Sequence, residues 1–213
     1  MNIIKDKYDN YKNFLMQELM HIDSMFDLYI YLKNQHVDKV DILNISPAFF
    51  GLTENALLEC AAIRLCKLYD IDSKTVTVAK FIRYVEQNLR LIYKGEYHNE
   101  IREIVQQDKV LLEKYQDKFK MLKTIRDTSL AHNDVCNLQQ DYDMWAGRGI
   151  VIGDVHDLIQ LGADVVNHYT HYSDSTYYLI KATNKFDIEN TLCILEKSDY
   201  IQNMRKQKNK KDI

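Results

Sequence analysis

Arg126 and His132 stand six residues apart in the run Ile125-Arg126-Asp127-Thr128-Ser129-Leu130-Ala131-His132-Asn133-Asp134. An arginine stays charged at any accessible pH and can grip a phosphate through two parallel hydrogen bonds. A histidine titrates near neutrality and can carry a proton. Together they are the two parts needed to cleave RNA without a metal. Arg126 would hold the scissile phosphate and stabilise the charge that builds in the transition state. His132 would take the proton from the ribose 2′-hydroxyl or give one to the leaving 5′-oxygen. Asp127 or Asp134 could orient the imidazole, or groups of a neighbouring protomer.

The spacing by itself says little. In a chain with 7 His, roughly one Arg–His pair at four to six intervening residues is expected by chance. Context adds more. An apolar stripe through Phe119 and Leu122 lands three or four residues later on Arg126. An arginine on such a face must be paired or must line a cavity. Arg64, between Ala61 and Leu68, poses the same question. On one straight helix Arg126 and His132 would point ~120° apart with ~9 Å of rise between them. A shared site therefore needs a helix break near Ala131-His132, for which Asn133-Asp134 is suitable, or two chains facing each other.

The elements that must position these residues are helical. The 213 residues include only 6 Gly and 1 Pro, too few for the turns of a sheet protein. The expectation is an all-α bundle of about six helices over residues 1–204, followed by a basic, disordered tail at 205–213. Helical periodicity marks residues 8–34, 47–69, 76–93, 99–132, 154–172 and 184–203. The break at 38–46 is polar, and Ser46-Pro47 reads as an N-cap and first helical residue. Within the segment 47–69 the run 56–69 is apolar almost all round, so this helix should lie at the centre of the bundle. Residues 141–152, with Trp145, Gly147 and Gly149, read as a loop or short hairpin.

The net charge of −3 excludes a global field for nucleic acid. The four cysteines, Cys60, Cys66, Cys136 and Cys193, form no CxxC pair and no zinc spacing. Cys60 and Cys66 read as small core residues, so a reducing cytoplasm is expected. No signal-peptide region opens the chain and no run reaches the ~20 apolar residues of a membrane span.

Other motifs are weaker. Ile150-Val151-Ile152-Gly153-Asp154-Val155-His156 mimics the Asp-x-His opening of metallophosphoesterases, but the blocks that fold needs do not follow. A helix start with Asp154 as N-cap and Asp157 at N3 is simpler. Asp164, His168 and His171 share a helix face and give a weak alternative metal set, although a polar face is the simpler reading and no metal or cofactor is expected. The 15 Tyr could stack on bases, with core packing the better default. Arg205, Lys206 and Lys208 in the tail could add RNA affinity through phosphate contacts.

Arg126-Asp127-x-x-x-Ala131-His132-Asn133-Asp134, closing a long helix in an all-helical chain, resembles the HEPN superfamily, and more closely its abortive-infection (AbiU-type) branch in phage defence. The Ala/Leu-rich run of residues 56–70, ending Leu68-Tyr69-Asp70, is similar to that branch as well. The resemblance implies a helical bundle in which Arg126, Asp127 and His132 form a metal-independent ribonuclease site, joined from two chains of a homodimer. HEPN toxins paired with a nucleotidyltransferase antitoxin often carry a tyrosine two residues after the histidine. Here that residue is Asp134, which argues against an antitoxin of that type. The expected partners are RNA, a second copy of the chain, and an antitoxin or defence-system protein. The alternative is a non-catalytic binding or regulatory module. An exposed Arg126 on a basic cleft would favour the nuclease, and a buried, internally paired Arg126 the module.

Overall fold

Scarce glycine and proline leave long uninterrupted segments, and these segments wind into helices. The computed structural model describes residues 3–70, 74–127, 151–181 and 184–209. Among them are nine α-helices and no strand: α1 (Ile3–Asp38), α2 (Val40–Leu43), α3 (Pro47–Tyr69), α4 (Val78–Ile92), α5 (His98–Lys114), α6 (Gln116–Ile125), α7 (Ile152–Asp174), α8 (Lys185–Glu196) and α9 (Asp199–Asn209), with a 3-10 turn at Gly95–Tyr97. Their ends follow local chemistry. Pro47 opens α3, where its missing N–H costs nothing. The Thr77 hydroxyl accepts from the Lys80 N–H at 3.2 Å and caps α4, satisfying a donor that the helix cannot satisfy itself.

The chain divides into two compact units, and α1 and α3 each contribute to both. The first comprises Met1–Asp23 and Ala61–Ile180. Its most interior helix is α7, with Leu158, Val165, Val166 and Tyr169 fully or almost fully buried. Leu15, Leu19 and Ile22 of α1, Leu65 and Leu68 of α3, and Phe81 and Val85 of α4 complete the core. Each such side chain adds about 1.5–3 kcal/mol relative to exposure. Gly162 sets how closely α7 approaches its neighbours: a Cβ there would meet Leu19 Cδ2 at 2.9 Å and the Tyr69 hydroxyl at 3.0 Å. The second unit comprises Ser24–Cys60 and Lys181–Ile213. Its core is smaller: Leu32, Ile42, Leu43, Phe50 and Leu192, with Tyr31, Leu57, Ile188 and Leu195 packed against them.

The all-α expectation holds, and several details differ. The segment 99–132 does not form one helix: it breaks at Tyr115, whose backbone leaves α geometry between α5 and α6. The segment 184–203 breaks between α8 and α9. Only half of α3 is central. From Ala61 onward it buries Ala61, Ala62, Leu65, Cys66, Leu68 and Tyr69, whereas Leu52 in its first half is 71% exposed and Cys60 is exposed, not a core residue. An apolar sequence is compatible with either outcome, because exposure depends on which elements arrive from elsewhere. The tail expected from Arg205 is helical through Asn209, as the end of α9. Trp145, Gly147 and Gly149 lie outside the described residues, and α7 already begins at Ile152.

Candidate functional site

The stripe on α6 ends as its spacing implies. Phe119, Leu122 and Ile125 are buried, and Arg126 follows at the edge of the core with its side chain 24% exposed. At Arg126 and Asp127 the α-helix widens into a π turn, a local change frequent at functional sites. Neighbouring side chains on an α-helix diverge by ~100°. Here Arg126 Nε nevertheless donates to Asp127 Oδ1 at 2.7 Å. Arg126 Nη1 donates to Asp70 Oδ2, also at 2.7 Å. Asp70 directly follows α3, so one guanidinium joins the ends of two helices. The hydrogen bond to Asp127, then that to Asp70, holds the guanidinium further into its charged form.

Arg126 borders a cleft of about 220 Å³ in the first unit. Its wall is formed by Cys66, Tyr69 and Phe119, and its rim by Asp70, Gln116, Lys120, Lys123 and Arg126. Tyr69 and Phe119 stack at 4.5 Å between centroids, 12° from parallel, and Tyr115 stacks on Phe119 in turn at 6.4 Å. The Tyr69 hydroxyl donates to the Leu158 carbonyl of α7, which fixes the wall to the interior. The Cys66 thiol donates to the Leu122 carbonyl at 3.1 Å. Burial pushes that thiol up to about 12, so it stays protonated and is no nucleophile at neutral pH. Arg126, Lys120 and Lys123 are set against Asp70, Asp127 and Asp117, the last paired with Lys120 at 3.1 Å, so three cations meet three carboxylates.

Of the sequence candidates, Arg126 and Asp127 are thus brought together, with Arg126 both internally paired and set on a cleft with a lysine rim. His132, Asn133 and Asp134 lie outside the described residues, as does the helix break expected near Ala131. The premise of one straight α-helix already fails at Arg126. Sequence reasoning missed Asp70, Cys66, Gln116, Lys120 and Lys123. Asp70 closes the Leu68-Tyr69-Asp70 run that carried part of the resemblance, and that was its only signal. Arg64 answers its own question differently: Nη1 donates to both oxygens of Glu18 at 2.8 Å.

The other candidates are also redirected. Among the described residues no group of three His, Cys, Asp or Glu side chains could hold a metal ion. Asp164 accepts from Gln160 at 2.7 Å, and His168 turns instead to Asp108 of α5, Nδ1 to Oδ1 at 2.9 Å. Asp108 is almost wholly buried and His168 44% exposed. Asp154 is not the N-cap of α7. It sits at the third helical position, where its Oδ2 accepts from the Val151 N–H at 2.8 Å and its Oδ1 pairs with Lys118. Residues 151–154 form a helix start and not the strand that a metallophosphoesterase motif requires. Arg205, Lys206 and Lys208 fall on α9, with Lys206 exposed.

The helical architecture is consistent with a HEPN-type bundle, and comparison of sequences agrees. The family model HEPN AbiU2 matches residues 5–185, which spans the Arg126–His132 motif and most of the helices. The chain belongs to the AbiU2 family of HEPN proteins and is a HEPN-type abortive-infection module. No curated protein and no solved structure is significantly similar to it. No described helix is long and apolar enough to cross a membrane.

Proposed function

We propose that the chain is a metal-independent endoribonuclease of phage defence, acting as a homodimer. The observation that carries this reading is Arg126, charged and fixed by two carboxylates, on the rim of a cleft that also holds Lys120 and Lys123. A guanidinium anchored through Nε and one Nη is oriented before substrate arrives, so little ordering is lost when it engages a phosphate. The 2′-oxygen of the substrate attacks the adjacent phosphorus while the bond to the 5′-oxygen breaks. His132 moves the proton from the first oxygen or to the second. The products are a 2′,3′-cyclic phosphate and a free 5′-hydroxyl, and no metal takes part.

Purified wild type, Arg126→Ala and His132→Ala are incubated with RNA, with and without EDTA. Cleavage by wild type alone, unaffected by EDTA and ending in a cyclic phosphate, is expected. Cleavage that EDTA abolishes but His132→Ala preserves sinks the mechanism.

A second reading, a non-catalytic binding or regulatory module, is favoured by one observation: Asp70 and Asp127 already neutralise Arg126. Under that reading Arg126 only ties α3 to α6, no variant or wild type cleaves RNA, and defence requires a partner protein.

A further inference from the structure

The cleft beside Arg126 is mostly apolar inside and polar only at its rim, and its polar groups differ in whether they are already used. The Cys66 thiol and the Tyr69 hydroxyl are each spent on a backbone carbonyl. Lys120 pairs with Asp117. Gln116, the first residue of α6, is half-buried on the rim, and its amide enters no hydrogen bond among the described residues. An amide offers a donor and an acceptor side by side, the pattern that pairs with the edge of a base. Tyr69 and Phe119, stacked on each other, give the cleft an aromatic wall against which the apolar edge of a base can lie. The volume, about 220 Å³, lies below the ~300–1,000 Å³ of sites for drug-sized ligands. It suits a single base.

Resting on the ribonuclease reading, we infer that this cleft is a base subsite for the nucleotide whose phosphate Arg126 holds, with Gln116 as its specificity-determining residue. Arg126 holds the phosphate, and Gln116, ten residues earlier on α6, reads the base edge. The donor and acceptor of one amide match some edge patterns better than others, so the four bases bind unequally.

The four ribonucleoside 3′-monophosphates contain no bond for the enzyme to cleave, so they report binding alone. Their affinities for the full chain, with ribose 5-phosphate as the baseless control, are measured by calorimetry for wild type and Gln116→Leu. The variant keeps the side chain's bulk and removes its hydrogen bonds. In wild type, at least one of the four nucleotides binds tenfold or more tighter than ribose 5-phosphate and threefold or more tighter than the weakest of the other three. In Gln116→Leu the spread among the four bases falls below twofold, and ribose 5-phosphate binds as before. Equal affinity for nucleotides and ribose 5-phosphate overturns the inference. So does the absence of nucleotide binding, or a base ranking that survives Gln116→Leu. RNA cleavage without base-dependent binding removes the subsite and leaves the ribonuclease. Base-dependent binding without cleavage does the reverse.

Discussion

Arg64 and Arg126 look alike in the sequence, each an arginine placed among apolar residues of a helix, yet they end in different surroundings. Arg64 gives one nitrogen to both oxygens of a single carboxylate, Glu18, with its side chain 37% exposed. Arg126 gives two different nitrogens to two carboxylates from separate segments, is less exposed, and borders a cleft. The first arrangement clasps two helices at the surface. The second fixes the plane of a guanidinium and points it at a space. A charged residue on an apolar stripe becomes informative through the number of directions from which it is held.

The largest expected effect separates the two arginines by activity. Arg126→Ala lowers RNA cleavage by about 10²–10³-fold, the scale of losing one preorganised transition-state donor. Arg64→Ala leaves the rate within about twofold, since only the surface clasp is lost. A time course of cyclic-phosphate product checks both, and equal losses would erase the distinction.

Stability sharpens the comparison next. Asp70→Asn removes a charge-assisted hydrogen bond from a partly buried guanidinium and costs about 1–2 kcal/mol. Glu18→Gln, at a more exposed pair, costs under about 1 kcal/mol. Urea unfolding of the two variants measures the gap, and a larger loss for Glu18→Gln would invert the ranking.

The smallest effect lies away from both arginines and tests whether either one sets the pH response. Arginines stay charged throughout the accessible range, so a slope near neutrality needs a histidine. The hydrogen bond to Asp108 raises His168 above the ordinary 6.5 against the opposing effect of burial, and Asp108 and Asp164 add attraction. A raised histidine stabilises the fold fully below its unfolded pKa, and that contribution is lost as pH rises through the folded value. His168 is solvent-screened, so the loss is small. Thermal unfolding from about pH 6 to 9 is expected to show a decline that His168→Gln removes; a decline unchanged in that variant assigns it elsewhere.

Much of the architecture was readable because helical period is a local signal. The stripe on α6 even delivered Arg126 to the edge of the core. What failed depended on distant partners. Cys60 looks like a core residue in an apolar run, but no described residue of its own unit covers it. Tyr115 interrupts a helix whose periodicity continues on both sides. His168 was grouped with Asp164 and His171 because they share its helix face, whereas its partner, Asp108, arrives from α5. Asp70 meets Arg126 from across the chain for the same reason. Local spacing proposes which side chains are neighbours on one element, and only the packing of elements decides which of them meet.

The bond from the Tyr69 hydroxyl to the Leu158 carbonyl has a kinetic consequence. It ties the cleft wall to the most interior helix of its unit, where Gly162 leaves no slack. The α3 side of that wall then opens to solvent only when the unit unfolds as a whole, while the exposed Lys120 and Lys123 side chains of α6 can move without it. Hydrogen exchange at amides of the Leu65–Tyr69 turn of α3 should fall in the slowest class of the unit. The recess would therefore keep its shape between visits by a ligand, and only its charged rim would move.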